Sequence, residues 1–137
     1  ARSNIHGLIK MGAQVSLCGP AVMMPRYIEK LGVTVYHRMD DAIRKADVIM
    51  MLRIQFERQG TTRFPSMREY SKYYCLTSER IGLAKDDVLV MHPGPINRGI
   101  EIAPDVAYGP YSVILDQVAN GVALRMALLY LLAGGNR

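Results

Sequence analysis

Short apolar runs alternate along the chain with segments whose apolar residues recur at helical spacing. The runs predict four strands, at residues 14–18, 33–36, 48–52 and 88–91. The other segments predict helices at residues 25–31, 40–46, 65–74, 78–84 and 112–133. Alternating strands and helices with short connections are typical of a parallel sheet. The predicted fold class is therefore α/β: an open, Rossmann-like parallel sheet with helices on both faces.

The chain opens with a helix, although a sheet of this kind normally opens with a strand. Apolar residues spaced for one helix face begin at Ile5. Ser3 or Asn4 suits the N-cap of this helix, and Gly12 suits its C-cap. We therefore expect residues 1–137 to form a domain whose first strand lies upstream of the chain.

The closing helix at residues 112–133 is apolar over more than one stripe. A helix that is apolar so far round requires burial on several sides, and the sheet of one domain covers only one of them. We expect this helix to pack on a second domain or on another subunit.

Composition and charge indicate one globular domain with a small, anionic ligand. Half of the 137 residues are apolar and 21% are charged, which excludes a disordered or fibrous chain. The net charge is +5, and the basic residues are scattered along the sequence without the aromatic residues of an RNA-binding motif. Nucleic acid is therefore not an expected partner.

The most apolar run, residues 126–133, is too short for a membrane span, and no signal peptide is visible. We expect a cytoplasmic protein that does not bind membranes.

The cysteines and histidines do not have the spacing of a metal or redox site. Cys18 and Cys75 lie far apart, and the three histidines follow no metal-binding pattern. The glycine fingerprints of dinucleotide and nucleotide sites and the nucleophile elbow of hydrolases do not occur either. Neither a metal nor a cofactor is expected.

Arg53 and Gln55 directly follow the third predicted strand. Ligands of parallel sheets bind beyond the carboxyl ends of the strands. The planar guanidinium of Arg53 suits a carboxylate or a phosphate, and the amide of Gln55 adds a donor and an acceptor. The alternative is a purely structural ion pair of Arg53 with Glu57 or with a carboxylate on a helix.

The fourth predicted strand runs into His92-Pro93-Gly94-Pro95. The two prolines lack an N–H group and fix their own φ angles, so this loop presents rigid carbonyl groups that suit an amino group of a ligand. A plain turn is the alternative. His92 is either a base or, as the pattern favours, a buried hydrogen-bonded residue.

Three polar features near this loop have structural interpretations. A turn at residues 97–99 is followed by Glu101, which suggests a turn closed by a charge pair. Gln117 and Asn120 on the closing helix are placed to cap backbone groups of the loop.

Three segments carry a distinctive combination of residues. Residues 51–58 are MLRIQFER, residues 91–102 are MHPGPINRGIEI, and residues 117–127 are QVANGVALRMA. Residues 1–4, ARSN, fit the segment that follows the first strand of the same domain. In this order, and over essentially the whole chain, they resemble the C-terminal half of bacterial aspartate carbamoyltransferases.

The resemblance implies a longer, two-domain enzyme that acts as a homotrimer with active sites between subunits. Its N-terminal domain binds carbamoyl phosphate, and this half binds L-aspartate. The amine of aspartate attacks the carbamoyl carbon and phosphate leaves, which gives N-carbamoyl-L-aspartate for pyrimidine biosynthesis. By this resemblance Arg53 binds an aspartate carboxylate with support from Gln55, and the backbone around Pro93, Gly94 and Pro95 holds the amino end of the carbamoyl group.

The resemblance also implies groups that this chain lacks. They are a phosphate-binding Ser-Thr-Arg-Thr loop, a lysine from the neighbouring subunit, the His and Arg that polarise the carbonyl, and a second aspartate-binding arginine just ahead of Ala1. The chain alone is therefore not expected to catalyse the reaction. Its expected partners are its own N-terminal half and two further copies, while dihydroorotase or regulatory subunits stay open.

Three alternatives remain at this point. Ornithine carbamoyltransferases typically carry a cysteine where this chain has Pro93, and an arginine at position 53 repels an acceptor with a second ammonium group. A non-catalytic carbamoyltransferase-like scaffold would need neither Arg53 nor the loop at residues 92–95. An unrelated nucleotide-binding Rossmann domain is disfavoured by the absent glycine fingerprint.

Overall fold

The computed structural model describes residues 2–54 and 66–134. It contains short strands and mostly short helices in alternation. The strands are β1 (Ser16–Cys18), β2 (Thr34–Tyr36), β3 (Val48–Met50) and β4 (Leu89–Met91). The α-helices are α1 (Arg2–Lys10), α2 (Met39–Ile43), α3 (Met67–Tyr74), α4 (Ser78–Ile81), α5 (Pro104–Ala107) and α6 (Ile114–Leu129). Short 3₁₀-helices lie at Ala21–Met23 and Ile28–Leu31.

The strands pair in parallel, in two ladders. β1 pairs with β2, and β3 pairs with β4 with Ile49 opposite Val90. On its other side, Val90 forms a parallel bridge with Ser112. Parallel pairing confirms the predicted α/β class, although within residues 2–54 and 66–134 the four strands form two separate two-stranded sheets.

The main core lies around β3 and β4. Leu76, Val90 and Ile102 have no exposed surface, and Val88 is almost fully buried. Helices α2, α4 and α5 contribute apolar side chains to the same cluster. Because apolar burial is the main stabilising contribution to folding, this cluster fixes the edge of the sheet where both candidate loops begin.

Helices α3 and α4 begin at side-chain caps. The Ser66 hydroxyl accepts the Glu69 N–H at 3.1 Å, and the Thr77 hydroxyl accepts the Arg80 N–H at 3.4 Å. Such caps satisfy backbone donors that the first helical turn leaves unpaired. Both helices therefore start close to the predicted positions, apart from Pro65, which lies outside the described residues.

Two predicted helix features were wrong near the start of the chain. The predicted helix at residues 25–31 is only the 3₁₀-helix Ile28–Leu31, because Tyr27 adopts a left-handed φ of 62° that interrupts it. Gly32, with φ of 82°, ends this segment as predicted. Ser3 and Asn4 lie inside α1 instead of capping it.

Helix α5 lies within residues 92–111, a segment that holds four of the seven prolines and for which no helix was predicted. Pro104 occupies the first turn, where the missing N–H has no intrahelical partner to lose. Val106 and Ala107 bury their side chains in the core. Proline content alone therefore did not distinguish a helix start from a loop.

Helix α6 is long, apolar and largely exposed. Only Ile114 is buried within it, and the backbone continues as a π-helical turn over Tyr130–Gly134. The whole segment Ile114–Gly134 has 21 residues and is long and apolar enough to cross a bilayer by length and composition. It is thus longer than the run at residues 126–133 that the sequence singled out, and helices of soluble proteins pass the same test.

Candidate functional site

The two candidate loops leave neighbouring strands at the same edge of the sheet. β3 and β4 pair in parallel, and the Met51 N–H extends the ladder by donating to the Met91 carbonyl at 2.9 Å. Arg53 follows β3 and is half-buried, while the loop at residues 92–95 follows β4. The expected common edge is confirmed. Gln55 and Glu57 lie outside the described residues, so their predicted roles stay predictions.

The loop at residues 92–95 is held by its own histidine. Gly94 has a φ of 68°, a conformation that glycine adopts without strain, and its N–H donates to Nδ1 of His92 at 2.8 Å. Pro93 and Pro95 are exposed, and the Gly94–Pro95 peptide bond is cis. The loop is therefore a fixed turn with its two prolines at the surface.

His92 is fully buried and makes hydrogen bonds at its backbone and its ring. Its N–H donates to Oε1 of Gln117 at 2.9 Å, and its Nδ1 accepts from Gly94. Since Nδ1 acts as an acceptor, the proton of the neutral ring is on Nε2. Burial lowers the pKa of the His92 imidazole below its usual 6.5, and the neighbouring Glu101 opposes part of that shift. The buried, structural interpretation of His92 is confirmed.

Glu101 is also fully buried and faces inward. Its Oε1 accepts the Asn97 N–H at 2.5 Å and lies 3.3 Å from Nε2 of His92. The side-chain amide of Asn97 in turn donates to the Ile54 carbonyl at 3.3 Å. These contacts connect the loop after β4 to the backbone next to Arg53.

The predicted charge pair at the turn of residues 97–99 was wrong. The turn itself is present, with Gly99 at φ of 74° and its N–H donating to the Ile102 carbonyl at 2.8 Å. Arg98 lies over the Tyr108 ring, 5.4 Å from its centroid, and Glu101 points into the interior. The carboxylate turns inward, where the Asn97 N–H donates to its Oε1 and Nε2 of His92 lies 3.3 Å from the same oxygen.

Gln117 was predicted to cap a backbone group of the loop, and its bond to the His92 N–H confirms this. Asn120, one turn further along α6, is exposed. The contact of Gln117 ties the first turn of α6 to the end of β4. No sequence signal pointed to Glu101 as a buried partner of His92, since eight residues of loop separate them.

A groove of about 490 Å³ lies between α2, α3 and α4, and its described lining includes neither Arg53 nor a residue of the loop at 92–95. Arg80 occupies this region and donates to Asp40 at 2.9 Å, to the Cys75 carbonyl at 2.6 Å and to the Lys72 carbonyl at 3.3 Å. Its donors are therefore used to hold three helices together. Among residues 2–54 and 66–134, no three acidic, cysteine or histidine side chains are grouped to hold a metal ion.

Comparisons with known proteins identify the family of this domain. The family model described as aspartate/ornithine carbamoyltransferase, Asp/Orn binding domain, matches residues 1–132. The chain is 63% identical over its whole length to the aspartate carbamoyltransferase catalytic subunit of Syntrophotalea carbinolica, of which it covers 44%. It thus spans less than half the length of this curated relative.

Solved structures of both aspartate and ornithine carbamoyltransferases share this fold. Aspartate transcarbamoylase from Trypanosoma cruzi, solved with carbamoyl aspartate and phosphate, matches with a TM-score of 0.70 and 27% identity over 92% of this chain and 44% of that one. Ornithine carbamoyltransferase from Pyrococcus furiosus matches with a TM-score of 0.75 and 27% identity over 93% of this chain and 44% of that one. With a family match over nearly its whole length, the chain belongs to the aspartate/ornithine carbamoyltransferases and corresponds to their acceptor-binding domain.

Proposed function

We propose that this chain is the acceptor-binding half of an aspartate carbamoyltransferase. The complete enzyme transfers the carbamoyl group of carbamoyl phosphate to the amine of L-aspartate and yields N-carbamoyl-L-aspartate and phosphate. The observation that carries the proposal is the position of Arg53 and the loop at residues 92–95 at the carboxyl ends of two paired strands. The 63% identity to a relative named as an aspartate enzyme supports the choice of acceptor.

Arg53 is the residue proposed to bind aspartate. Its guanidinium can form two parallel hydrogen bonds with a carboxylate, a geometry that fixes both position and orientation. Gln55 is proposed to support this contact with its amide. An ornithine side chain would place an ammonium group near Arg53, and two like charges in a closed site repel each other by several kcal/mol, on the order of the costs known at interfaces.

The backbone around Pro93, Gly94 and Pro95 is proposed to hold the amino end of the carbamoyl group. Carbonyl oxygens accept from that NH₂ group, and the turn that carries them is fixed from inside by His92. The amine of aspartate forms a bond to the carbamoyl carbon, the bond to the phosphate oxygen breaks, and the amine loses a proton. Such a reaction is accelerated by positioning and by stabilising the developing charge, without a covalent enzyme intermediate.

The exposed face of α6 is proposed to pack on the other half of the enzyme. Leu124, Leu128 and Leu132 are exposed to solvent along it. A lipid membrane is the alternative apolar environment for this face. Against it, Gln117 anchors the start of α6 inside this domain, and Arg125 interrupts the apolar surface of the helix. We further propose a cytoplasmic homotrimer, as the resemblance implies, and leave dihydroorotase and regulatory subunits open as partners.

The test of this proposal uses the completed chain, meaning this sequence preceded by the carbamoyl-phosphate half of its Syntrophotalea carbinolica relative. Substituting Arg53→Ala removes the carboxylate-binding group. We expect the KM for aspartate to rise by about tenfold or more, because a charge-assisted contact contributes about 1.5–3 kcal/mol. Carbamoyl transfer is measured at varied aspartate concentrations.

Arg26→Ala serves as the matched control, since Arg26 is an exposed arginine outside both candidate loops. It should leave both kinetic constants unchanged. Equal kinetics for the Arg53 and Arg26 variants would contradict the proposal and favour a structural ion pair at Arg53. A completed chain that binds its partners but transfers no carbamoyl group would favour the scaffold.

A further inference from the structure

A continuous series of contacts runs from one candidate loop to the other through Glu101. The Gly94 N–H donates to Nδ1 of His92 at 2.8 Å, and Nε2 of that ring lies 3.3 Å from Oε1 of Glu101. The same oxygen accepts the Asn97 N–H at 2.5 Å. Asn97 then donates through its side chain to the Ile54 carbonyl at 3.3 Å. Glu101 is therefore the group on which both loops converge.

The carboxylate at this position is costly for stability. Glu101 and His92 are both fully buried, and neither Oε2 of Glu101 nor Nε2 of His92 has a hydrogen-bond partner among the described residues. Burying polar groups that lack a hydrogen-bond partner costs free energy, and replacing both members of a buried polar pair by apolar groups of the same shape is often nearly neutral. What an apolar residue cannot supply is one oxygen that accepts a backbone N–H and also lies next to the imidazole.

The two ends of this series differ in what they hold. On one side, His92 holds Gly94 in the turn whose carbonyls are proposed to bind the carbamoyl group. On the other side, Asn97 holds the Ile54 carbonyl, which belongs to the residue after Arg53. A shift of Glu101 would change the separation between the two substrate-binding elements. Misplacement by about 1 Å is enough to cost about a hundredfold in rate.

We propose that Glu101 is a positioning residue that sets the distance between the carbamoyl-binding turn and the Arg53 loop. This inference rests on the proposed function of the two loops. Glu101 itself lies in the interior and does not contact substrate. It acts through His92 on the turn and through Asn97 on the backbone beside Arg53.

Three substitutions in the completed chain separate the links. Glu101→Ala removes the shared acceptor, and we expect it to lower kcat/KM for aspartate by about tenfold or more per folded enzyme. Glu101→Gln keeps one oxygen acceptor in the same place and should restore activity to within about threefold of the unsubstituted enzyme.

Asn97→Ala tests the contact with Ile54 by itself. The backbone N–H of residue 97 still donates to Glu101, and only the side-chain bond to the Ile54 carbonyl is removed. This substitution should raise the KM for aspartate by about threefold while the KM for carbamoyl phosphate changes by less than about twofold.

Glu79→Ala is the matched control because Glu79 is exposed on α4. It should leave all kinetic constants unchanged. If Glu101→Ala lowered the melting temperature but left kcat/KM per folded enzyme at the control value, Glu101 would be merely structural and the proposal would be overturned. Failure of Glu101→Gln to restore activity would overturn it as well.

A second measurement keeps the inference separate from the proposed function. If the unsubstituted completed chain transferred no carbamoyl group, the proposed function would fail, and NMR would decide the role of Glu101. Glu101→Ala should then shift the NMR resonances of the Gly94 amide and of the His92 ring nitrogens. Asn97→Ala should shift the amide resonances of Arg53 and Ile54. Unchanged resonances in the Glu101→Ala variant would overturn the inference.

Discussion

The interior around His92 and the outer length of α6 have opposite character. His92 and Glu101 are polar and have no exposed surface, whereas Leu124 and Leu132 are apolar and 62% and 85% exposed. We call the first region the polar corner, defined by His92, Asn97, Glu101 and Gln117. The polar side chains of this corner find most of their contacts within this domain, whereas most of the apolar surface of α6 is exposed to solvent in it.

The contrast indicates which part of the site this domain builds by itself. The polar corner is closed by contacts between β4, the following loop and Gln117, so the turn at residues 92–95 has a defined shape here. The apolar face of α6 gains stability only when another surface removes it from water, at about 25 cal/mol per Å². The two regions meet at Gln117, which links burial of α6 to the position of His92.

The largest expected effect is the loss of the polar corner. Substituting His92→Ala deprives the buried Glu101 carboxylate of its ring partner and the Gly94 N–H of its acceptor. We expect the free energy of unfolding to fall by about 3–5 kcal/mol, because buried polar groups lose their partner and the missing imidazole leaves a cavity. Urea unfolding measures it, with His6→Ala on the exposed side of α1 as the control. A similar, small loss of unfolding free energy for both variants would show that the contacts of His92 do not stabilise the fold.

The next effect tests whether α6 is covered in the completed chain. In the 137-residue chain measured alone, Leu124→Ala should change the free energy of unfolding by less than about 0.5 kcal/mol, because Leu124 is exposed. In the completed chain the same substitution should cost about 2–4 kcal/mol, since it leaves a cavity in a buried interface. Equal small effects in both chains would show that the other half does not cover Leu124.

The smallest effect is a pH dependence of stability. The folded-state pKa of His92 lies below its unfolded value of 6.5 because burial disfavours the charged ring. The unfolded chain therefore binds more protons below pH 6.5, and stability should decline as the pH falls through this window. His92→Asn should reduce the slope, while His6→Asn should leave it unchanged. A free energy of unfolding that increased as the pH fell through this range would contradict the lowered pKa of the buried His92.

Much of the fold followed from the apolar pattern, because buried strands have short apolar runs that are easy to recognise. All four predicted strands are present, each shorter than predicted. The left-handed conformation of Tyr27 was not predictable, since a tyrosine rarely adopts a positive φ. α5 was missed because Pro104 starts a helix in a segment rich in other loop residues.

The candidate site was predictable in its positions and not in its internal support. Residues that follow strands in a parallel sheet meet at one edge, so the neighbourhood of Arg53 and Pro93 could be anticipated. The direction of the Glu101 side chain could not, because a loop of this length does not have the fixed periodicity of a helix or a strand. Gln117 was one of two polar side chains on the closing helix that were predicted to cap backbone groups of the loop, and it bonds the His92 N–H.

The most direct test of the account is carbamoyl transfer by the completed chain, with aspartate and ornithine offered separately at the same concentration of carbamoyl phosphate. Our account predicts carbamoylated product with aspartate and none with ornithine, because Arg53 favours a carboxylate and repels an ammonium group. Product with ornithine alone would contradict the assigned acceptor, and product with neither would contradict the assigned reaction.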